Sequence, residues 1–219
     1  MADLINKDVS DSGGKVKGLV GVFLAAGHGS RYRNSGGGDK LAERVPKGLF
    51  RGGLPVIVAS LAPIMAVCET VVAVTRVGKI GLSQVLASQG CIVIECESAG
   101  MGESLALAIN QKPKAEGWLI ALADMPFIQE ASIRKLAAAM KPHLICAPSF
   151  RGKRGHPVAF GKDFGDALSA TTGDEGAKHL LQSNPPLLVQ VDDPGVLTDI
   201  DSTEDWKQAT ASMTQPPKT

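Results

Sequence analysis

Two acidic segments follow extended stretches of the sequence and could hold a metal ion. Asp124 lies just past the apolar run Trp118–Leu122, with Ala123 between them. Asp199 and Asp201 flank Ile200, and alternation along an extended segment places both carboxylates on one side. Mg²⁺ takes oxygen ligands and commonly uses one or two carboxylates together with substrate phosphates. We therefore predict a Mg²⁺ site made by Asp124 with one or both of the other aspartates. The alternative for both segments is helix capping, and after the second segment Ser202, Thr203 and Asp205 look like the capping groups of a helix start.

The segment LAAGHGSR has residue types that suit nucleotide binding. Its small residues let phosphates approach the backbone amides, and an arginine can pair with a phosphate through parallel hydrogen bonds. Tyr32 stands where a dinucleotide-binding fingerprint has its third glycine, and the chain has no Gly-Lys-Ser/Thr of a Walker loop. A plain strand-to-helix turn is the alternative. The predicted nucleotide-binding residues here are Leu24, Ala25, Ala26, Gly27, Gly29, Ser30 and Arg31.

Two lysines and two helix starts extend the predicted site. Lys40 follows a glycine run and is a candidate phosphate ligand, as is Lys47, although both could simply be solvated. The segment GMGESL opens a predicted helix whose amides and hydroxyl could hold ribose or phosphate oxygens, and GDEGA opens a later one in the same way. Either could instead be a helix cap. The residues assigned are Gly100, Gly102 and Ser104 for the nucleotide, and Gly173, Asp174 and Gly176 for an acceptor.

The segment RGKRGHP at positions 151–157 carries three cations around two glycines. We predict a flexible basic loop that binds an anionic acceptor through Arg151, Arg154, Gly155 and His156. The alternative is a solvated hairpin tip, and a histidine in such a place is more often packed or hydrogen-bonded than catalytic.

Composition narrows the class of protein. The chain has 219 residues and a formal net charge of +1, which fits one α/β domain. Interspersed charges give no reason to expect a nucleic acid or a membrane surface as partner. The apolar stretches are too short or too interrupted to span a bilayer, and the first 17 residues lack the apolar region of a secretion signal. We therefore expect a soluble, cytoplasmic protein.

The cysteines and histidines do not have the spacing of a zinc or other transition-metal site. No Cys-x-x-Cys pair and no helical His-x-x-x-His pair occurs. We expect buried free thiols, and carboxylates as the ligands of any metal. The residues concerned are Cys68, Cys91, Cys96 and Cys146, and the histidines at positions 28, 143, 156 and 179.

Short β-branched runs alternate with amphipathic stretches, which predicts a mostly parallel sheet covered by helices. We place one domain at 18–207, with loose tails at 1–17 and 208–219. A helix should begin at Pro55 and be kinked or ended by Pro63. The other predicted helices are Met101–Asn110, Gln129–Met140 and Asp174–Ser183. The predicted strands are Leu19–Leu24, Val71–Thr75, Ile92–Glu95, Trp118–Leu122, Leu144–Ala147 and Leu187–Val191.

Taken in chain order, LAAGHGSR, DKL, GMGESL, LADMP, RGHPV, GDEGA and DIDSTED resemble the molybdenum cofactor cytidylyltransferases of the MobA-like NTP transferase superfamily. The resemblance spans about residues 19–206 and implies a Rossmann-like α/β fold with helices on both faces of the sheet. It also implies a nucleotide in the first loop and Mg²⁺ between Asp124 and the DID segment. Arg31, Lys40 and Asp124 would be the catalytic residues.

The activity that the resemblance implies is transfer of CMP from CTP to the terminal phosphate of molybdopterin, with release of pyrophosphate. CTP is favoured because Ala25-Ala26-Gly27 stands where related guanylyltransferases usually carry Ala-Gly-Gly. A xanthine dehydrogenase-family molybdoenzyme or its insertion chaperone is the implied protein partner. Open alternatives are a guanylyltransferase, a transferase with another phosphorylated acceptor, and a noncatalytic cofactor carrier. An NAD-dependent oxidoreductase is disfavoured by the missing third glycine.

Overall fold

The computed structural model describes residues 13–97 and 100–213, with the backbone alone at 210–213. Of the two predicted tails, residues 1–12 and 214–219 lie outside this description. Among the described residues, no helix combines the length and the apolar character that crossing a membrane requires.

The described strands form one mixed sheet. Their bounds are β1 Val16–Ala25, β2 Cys68–Arg76, β3 Ile92–Cys96, β4 Gly117–Leu122, β5 Ile145–Phe150, β6 Lys153–Arg154, β7 Val158–Gly161 and β8 Leu187–Gln190. The order is β3-β2-β1-β4-β7-β5-β6, with β8 beside β5. Strands β3, β2, β1 and β4 run parallel, as do β5 and β8, whereas β7 is antiparallel to β4 and β5. The predicted α/β class and mostly parallel sheet are confirmed.

Helices cover both faces of this sheet. Their bounds are α1 Ser30–Asn34, α2 Val56–Val67, α3 Ile80–Ser88, α4 Met101–Gln111, α5 Glu130–Ala139, α6 Gly165–Ser169, α7 Lys178–Ser183 and α8 Thr203–Met213. Neighbouring strand residues point to opposite faces, so Phe23 packs with α2, α3 and α5 while Val22 packs with α4, α6 and α7. Both faces are therefore buried, as expected of a parallel sheet.

Most element boundaries differ from the predicted ones by one to three residues, and four differences have a local cause that the structure shows. Strand β1 begins at Val16, inside the predicted tail, where Val16 pairs with Cys68 and the amide of Gly18 donates to Glu69. Helix α7 begins only at Lys178, because the preceding GDEGA segment forms turns in which Gly176 has a φ of 53°.

The other two differences also have local causes. Helix α8 continues through residues 208–213, which we placed in the tail, since Ala209 is buried in the core. Helix α2 continues past Pro63 to Val67 and is not ended by it. Proline removes the amide that would bond to the carbonyl of Ala59 four residues earlier. That carbonyl instead accepts a hydrogen bond of 3.1 Å from the Arg51 guanidinium.

Candidate active site

A cavity of about 490 Å³ opens at the carboxyl ends of β1, β2 and β4. Open α/β sheets bind ligands at this edge. The predicted site residues that line it are Leu24, Ala25, Ala26, Gly27, Gly29, Ser30, Arg31, Lys40, Gly100, Ser104, Asp124, Asp174, Asp199 and Asp201. The first loop, both acidic segments and two helix starts thus meet in one place.

Lys40 joins the two acidic segments at the centre of the cavity. Its Nζ donates to Asp124 Oδ2 and to Asp201 Oδ1, each at 2.8 Å. Arg31 Nη1 lies 2.6 Å from the other oxygen of Asp201. The backbones are also tied together, because the amide of Ile200 donates to the carbonyl oxygen of Asp124 at 2.9 Å. Two segments 75 residues apart in the chain therefore act as one acidic pair with its own cations.

The lysine remains charged in this setting. Burial lowers the pKa of Lys40, but the charges and hydrogen bonds of Asp124 and Asp201 outweigh it, so that its pKa is raised above the ordinary value of 10.5. The alternative lysine, Lys47, is exposed and does not line the cavity. Lys40 is therefore the lysine that the fold places beside the acidic residues.

One carboxylate oxygen of this pair has no partner. Asp124 Oδ1 is buried and accepts no hydrogen bond from any residue between 13 and 213 that the structure describes. A buried carboxylate oxygen without a donor is costly, which makes it a natural ligand atom for a cation. Within the described residues, however, no three His, Cys, Asp or Glu side chains cluster closely enough to form a complete protein metal site.

Capping in the DID segment falls to Asp205, and not to either of the two aspartates assigned to the metal. Asp205 Oδ2 accepts from the amides of Asp201 and Ser202 at 2.7 and 2.6 Å, as α8 begins. Asp199 and Asp201 are thus free of that task, and both line the cavity. Burial, aided by the nearby charges of Asp201 and Asp124, raises the pKa of Asp199.

The two glycine-rich segments, GMGESL and GDEGA, are hydrogen-bonded to each other. The amide of Gly102 donates to the carbonyl of Gly173 at 2.7 Å, and the amide of Gly173 donates to Glu103 Oε1 at 2.8 Å. A Cβ at position 102 would lie 2.4 Å from the backbone of Thr172, so only glycine permits this approach. Together they form one cavity wall, and Gly102 contributes to it as a packing residue, outside the cavity lining.

Ser104 and Asp174 lie at this wall in different ways. The Ser104 hydroxyl donates to the carbonyl of Gly100 at 3.1 Å and is buried. Asp174 is exposed and lines the cavity, whereas Gly173 and Gly176 do not.

The basic segment is a hairpin beside the cavity and not part of its lining. Strand β6 pairs with β5, and Arg151 at the tip packs its guanidinium 5.0 Å from the Phe150 ring centre. Arg154 is exposed. The structure therefore places the predicted hairpin cations at the protein surface, outside the cavity lining.

His156 lies deeper than the rest of this hairpin. Its amide donates to the carbonyl of Val196 at 2.9 Å, and a Cβ on Gly155 would lie 2.2 Å from that same oxygen. Its Nδ1 is buried without a partner among the residues described. Burial and the charge of Arg154 lower the pKa of His156, so the ring is neutral at pH 7, although Asp124 acts in the opposite direction.

Several cavity residues were missed in the sequence. Arg33, Asp39, Arg76 and Lys79 all line the cavity, and Lys79 Nζ pairs with Asp39 Oδ2 at 2.6 Å. Arg76 ends β2 as Asp124 follows β4, and that shared position at a strand end was the signal available. Within 13–97 and 100–213, the lining holds five Lys or Arg residues (31, 33, 40, 76 and 79) and five Asp residues (39, 124, 174, 199 and 201). Its cations and anions thus balance before any ligand binds.

The first loop does not have the geometry of a dinucleotide fold. Gly29 precedes a helix of only five residues, and Tyr32 in that helix is buried. The Tyr32 hydroxyl accepts a hydrogen bond of 2.9 Å from Trp206 Nε1. The position of the missing third glycine is therefore used to anchor α8.

Two curated proteins are similar to the chain over most of its length. The purine catabolism protein PucB of Bacillus subtilis (strain 168) is 28% identical over 209 residues, covering 89% of this chain and 97% of PucB. Nicotine blue oxidoreductase of Paenarthrobacter nicotinovorans is 26% identical over 200 residues, covering 85% of this chain and 93% of that protein.

Three solved structures share the fold. A nucleotidyl transferase from Methanothermobacter thermautotroptrophicus has a TM-score of 0.73 at 21% identity, over 89% of this chain and 97% of that one. Rv0371c of Mycobacterium tuberculosis H37Rv in complex with manganese has a TM-score of 0.67 at 22% identity, over 89% and 98%. A CMP:2-keto-3-deoxy-manno-octonic acid synthetase complexed with CTP has a TM-score of 0.65 at 15% identity, over 90% and 98%.

The model of the MobA-like NTP transferase domain matches residues 21–188, which include the first loop, Lys40 and Asp124. These residues meet in the cavity just described. The chain therefore belongs to the MobA-like NTP transferase family.

Proposed function

We propose that this protein is a Mg²⁺-dependent cytidylyltransferase that transfers CMP from CTP to the terminal phosphate of a molybdopterin-type acceptor. The observation that carries the proposal is the contact of Lys40 with both Asp124 and Asp201, with Arg31 beside them, at the strand ends that form the cavity. Cations and carboxylates so arranged suit a reaction in which charged phosphates must be neutralised and aligned.

The residues present fit a Mg²⁺ ion. Asp124 and Asp201 are close enough to contact one ammonium group, and Asp124 Oδ1 has no donor among the described residues. Two carboxylates plus substrate phosphates and water are the usual ligands of Mg²⁺ in such sites. When bound, the ion would supply charge neutralisation and orientation of the phosphates. The manganese complex of Rv0371c, which has the same fold, agrees with a divalent ion here.

In the proposed reaction, a terminal phosphate oxygen of the acceptor attacks the α-phosphorus of CTP. A new P–O bond forms, the bond to the β-phosphate oxygen breaks, and its electron pair leaves with pyrophosphate. A phosphate monoester with a second pKa of about 6 is already largely a dianion at neutral pH, so no protein base is needed. Arg31 and Lys40 would hold the phosphates in line, and the amides of the first loop would approach them closely.

The choice of nucleotide and acceptor rests on sequence resemblance together with the fold. The segment Ala25-Ala26-Gly27 lines the cavity. It is the segment at which the sequence differs from the Ala-Gly-Gly that is usual in related guanylyltransferases. The CTP complex of the octonic acid synthetase shares the fold and agrees with a cytidine nucleotide. For the acceptor, Arg151 and Arg154 at the surface next to Gly155 and His156 supply cations outside the cavity that holds the nucleotide.

Pyrophosphate release tests this function. Purified protein is incubated with Mg²⁺, molybdopterin and each of the four NTPs in turn. We expect release with CTP that depends on both metal and acceptor. A strong preference for GTP would overturn the cytidylyl assignment, and binding of molybdopterin with no turnover of any NTP would indicate a carrier.

One relative is named nicotine blue oxidoreductase, so a parallel assay tests this protein for oxidoreductase activity. The same preparation is mixed with NADH or NADPH and a flavin- or dye-type acceptor, and absorbance at the nicotinamide band is followed. We expect no oxidation, because Tyr32 closes the position that a dinucleotide-binding turn leaves open. Steady oxidation with no pyrophosphate release from any NTP would replace the transferase proposal.

A further inference from the structure

Three of the four oxygens in the central acidic pair are already covered by cations of the protein itself. Lys40 Nζ contacts Asp124 Oδ2 and Asp201 Oδ1, and Arg31 contacts Asp201 Oδ2. The Lys40 side chain is only 11% exposed, against 22% for Asp124 and 28% for Asp201. The lysine side chain is thus the most enclosed member of the cluster, and its ammonium group lies between the two carboxylates.

A divalent ion cannot bind both carboxylates while this ammonium bridges them. Two cations at contact distance from the same oxygens would repel each other strongly in a half-buried site. Lys40 has a flexible four-carbon stem, so its charge can swing away while its backbone stays in place. The backbone next to Lys40 is held in place, because the carbonyl oxygen of Asp39 accepts hydrogen bonds from the amides of Ala42 and Glu43.

We propose that Lys40 is an exchangeable counter-ion: it occupies the Asp124–Asp201 pair in the free protein and gives it up to the metal when nucleotide arrives. This inference rests on the proposed function, since the phosphates of the nucleotide are what receive the displaced ammonium. Arg31 leaves Asp201 for the phosphates in the same step. Metal and nucleotide then bind cooperatively, because each removes the obstacle to the other, and the coupling is equal in both directions.

The exchange predicts that removing the Lys40 ammonium group strengthens metal binding. Removing a cation that merely orients phosphates would leave metal binding without nucleotide unchanged. Removing a cation that competes with the metal would make the metal bind more tightly. We expect Lys40→Met to raise the affinity for Mn²⁺, in the absence of nucleotide, by about tenfold or more, within the usual range of coupling between sites.

The measurement is the concentration of free Mn²⁺ by electron paramagnetic resonance, in titrations of nucleotide-free wild type, Lys40→Met and Lys47→Met. Lys47 is an exposed lysine seven positions away and serves as the matched control. The gain should appear with Lys40→Met alone and should vanish in the double variant Lys40→Met/Asp124→Asn. Circular dichroism checks the fold of each variant, and Lys40→Gln repeats the test with a polar stem if the methionine variant does not fold.

An affinity for Mn²⁺ in folded Lys40→Met or Lys40→Gln that is equal to or weaker than that of wild type would overturn the exchange. A second titration, with a non-hydrolysable CTP analogue, should strengthen Mn²⁺ binding in wild type and do so less in Lys40→Met. These outcomes are separate from those for the function. If wild type releases pyrophosphate from CTP while the lysine variants gain no affinity, the exchange is wrong and the transferase proposal stands.

Discussion

Arg51 offers a sharp test of how the cavity loops are held. Its Nη1 donates to three backbone carbonyls, those of Ala59 at 3.1 Å, Pro126 at 3.2 Å and Ile128 at 2.9 Å. The first of these is the carbonyl that Pro63 deprives of its helical partner. The other two belong to the segment that follows Asp124. The Arg51 guanidinium therefore supplies the hydrogen bond that α2 lacks at Pro63, and it links α2 to the loop after the proposed metal ligand Asp124.

The cost of removing this group can be worked from these contacts. A hydrogen bond to a charged group contributes about 1.5–3 kcal/mol, and a buried carbonyl left without a donor adds its own desolvation penalty. A single Nη1 shared among three acceptors counts as one to two such bonds. We expect Arg51→Met to lower the free energy of unfolding by about 3 kcal/mol. For a domain of this size, that corresponds to a fall in Tm of about 6–12 °C.

The assay is a double-mutant cycle that combines Arg51→Met with Pro63→Ala. Thermal and urea unfolding of each variant is monitored by circular dichroism. Pro63→Ala restores an amide opposite the Ala59 carbonyl, so Arg51→Met should cost less in that background, by about 1 kcal/mol. Arg44→Met is the matched control, since Arg44 is exposed and donates to one carbonyl, that of Gly53. A loss below 0.5 kcal/mol, or an equal loss in both backgrounds, would refute this explanation of why α2 tolerates its proline.

Three further predictions follow from the site. Asp124→Ala should abolish pyrophosphate release yet keep the circular dichroism spectrum of wild type, because a strand-end carboxylate adds little to the core; normal turnover would remove Asp124 from the site. Arg154→Ala should raise KM for molybdopterin but not for CTP, with partial rescue by lysine, which lacks the planar fork; equal changes in both constants would indicate a structural defect. Asp199→Asn should raise Tm at pH 7, and a Tm unchanged there would refute this.

The sign for Asp199 follows from its pKa. Burial raises the pKa of this carboxyl above the value of 3.8 that it has in the unfolded chain, so the folded state disfavours its charged form. The penalty is fully present at pH 7 and disappears as the pH falls below 3.8. The advantage of the asparagine variant should therefore shrink between pH 7 and about pH 4. Scanning calorimetry over that range checks it.

The parallel strands could be predicted from the sequence because a strand buried on both faces is a continuous apolar run. The run Leu119–Ala121 has no other plausible place than the core. Strands β6 and β7 could not be predicted in this way. Strand β6 folds back on the adjacent β5, whereas β7 pairs with β5 on one side and on the other with β4, whose Gly117 lies 44 residues before its partner Gly161. The basic segment was thus recognised as a loop or hairpin but not as part of the sheet.

In the candidate site too, some features could be predicted from the local sequence and others depend on contacts between distant parts of the chain. Position at a strand end picked out Asp124, and alternation along an extended segment picked out the DID segment, but only the fold could choose Lys40 over Lys47. The sequence also gave no means of seeing that the GMGESL and GDEGA segments bond to each other, because the Gly102–Gly173 contact spans 71 residues. The role of Asp205 as the cap of α8 agrees with the sequence, in which Ser202, Thr203 and Asp205 are residue types typical of a helix start.

The central claim is the transfer of a nucleotidyl group, and the fate of the α-phosphate tests it most directly. Molybdopterin, Mg²⁺ and protein are incubated with CTP labelled with ³²P at the α- or the γ-position, and the products are separated. Label from the α-position should appear in the pterin product, and label from the γ-position in pyrophosphate. Retention of α-label in CTP, or its release as free CMP with no labelled pterin, would contradict the transfer of CMP to molybdopterin.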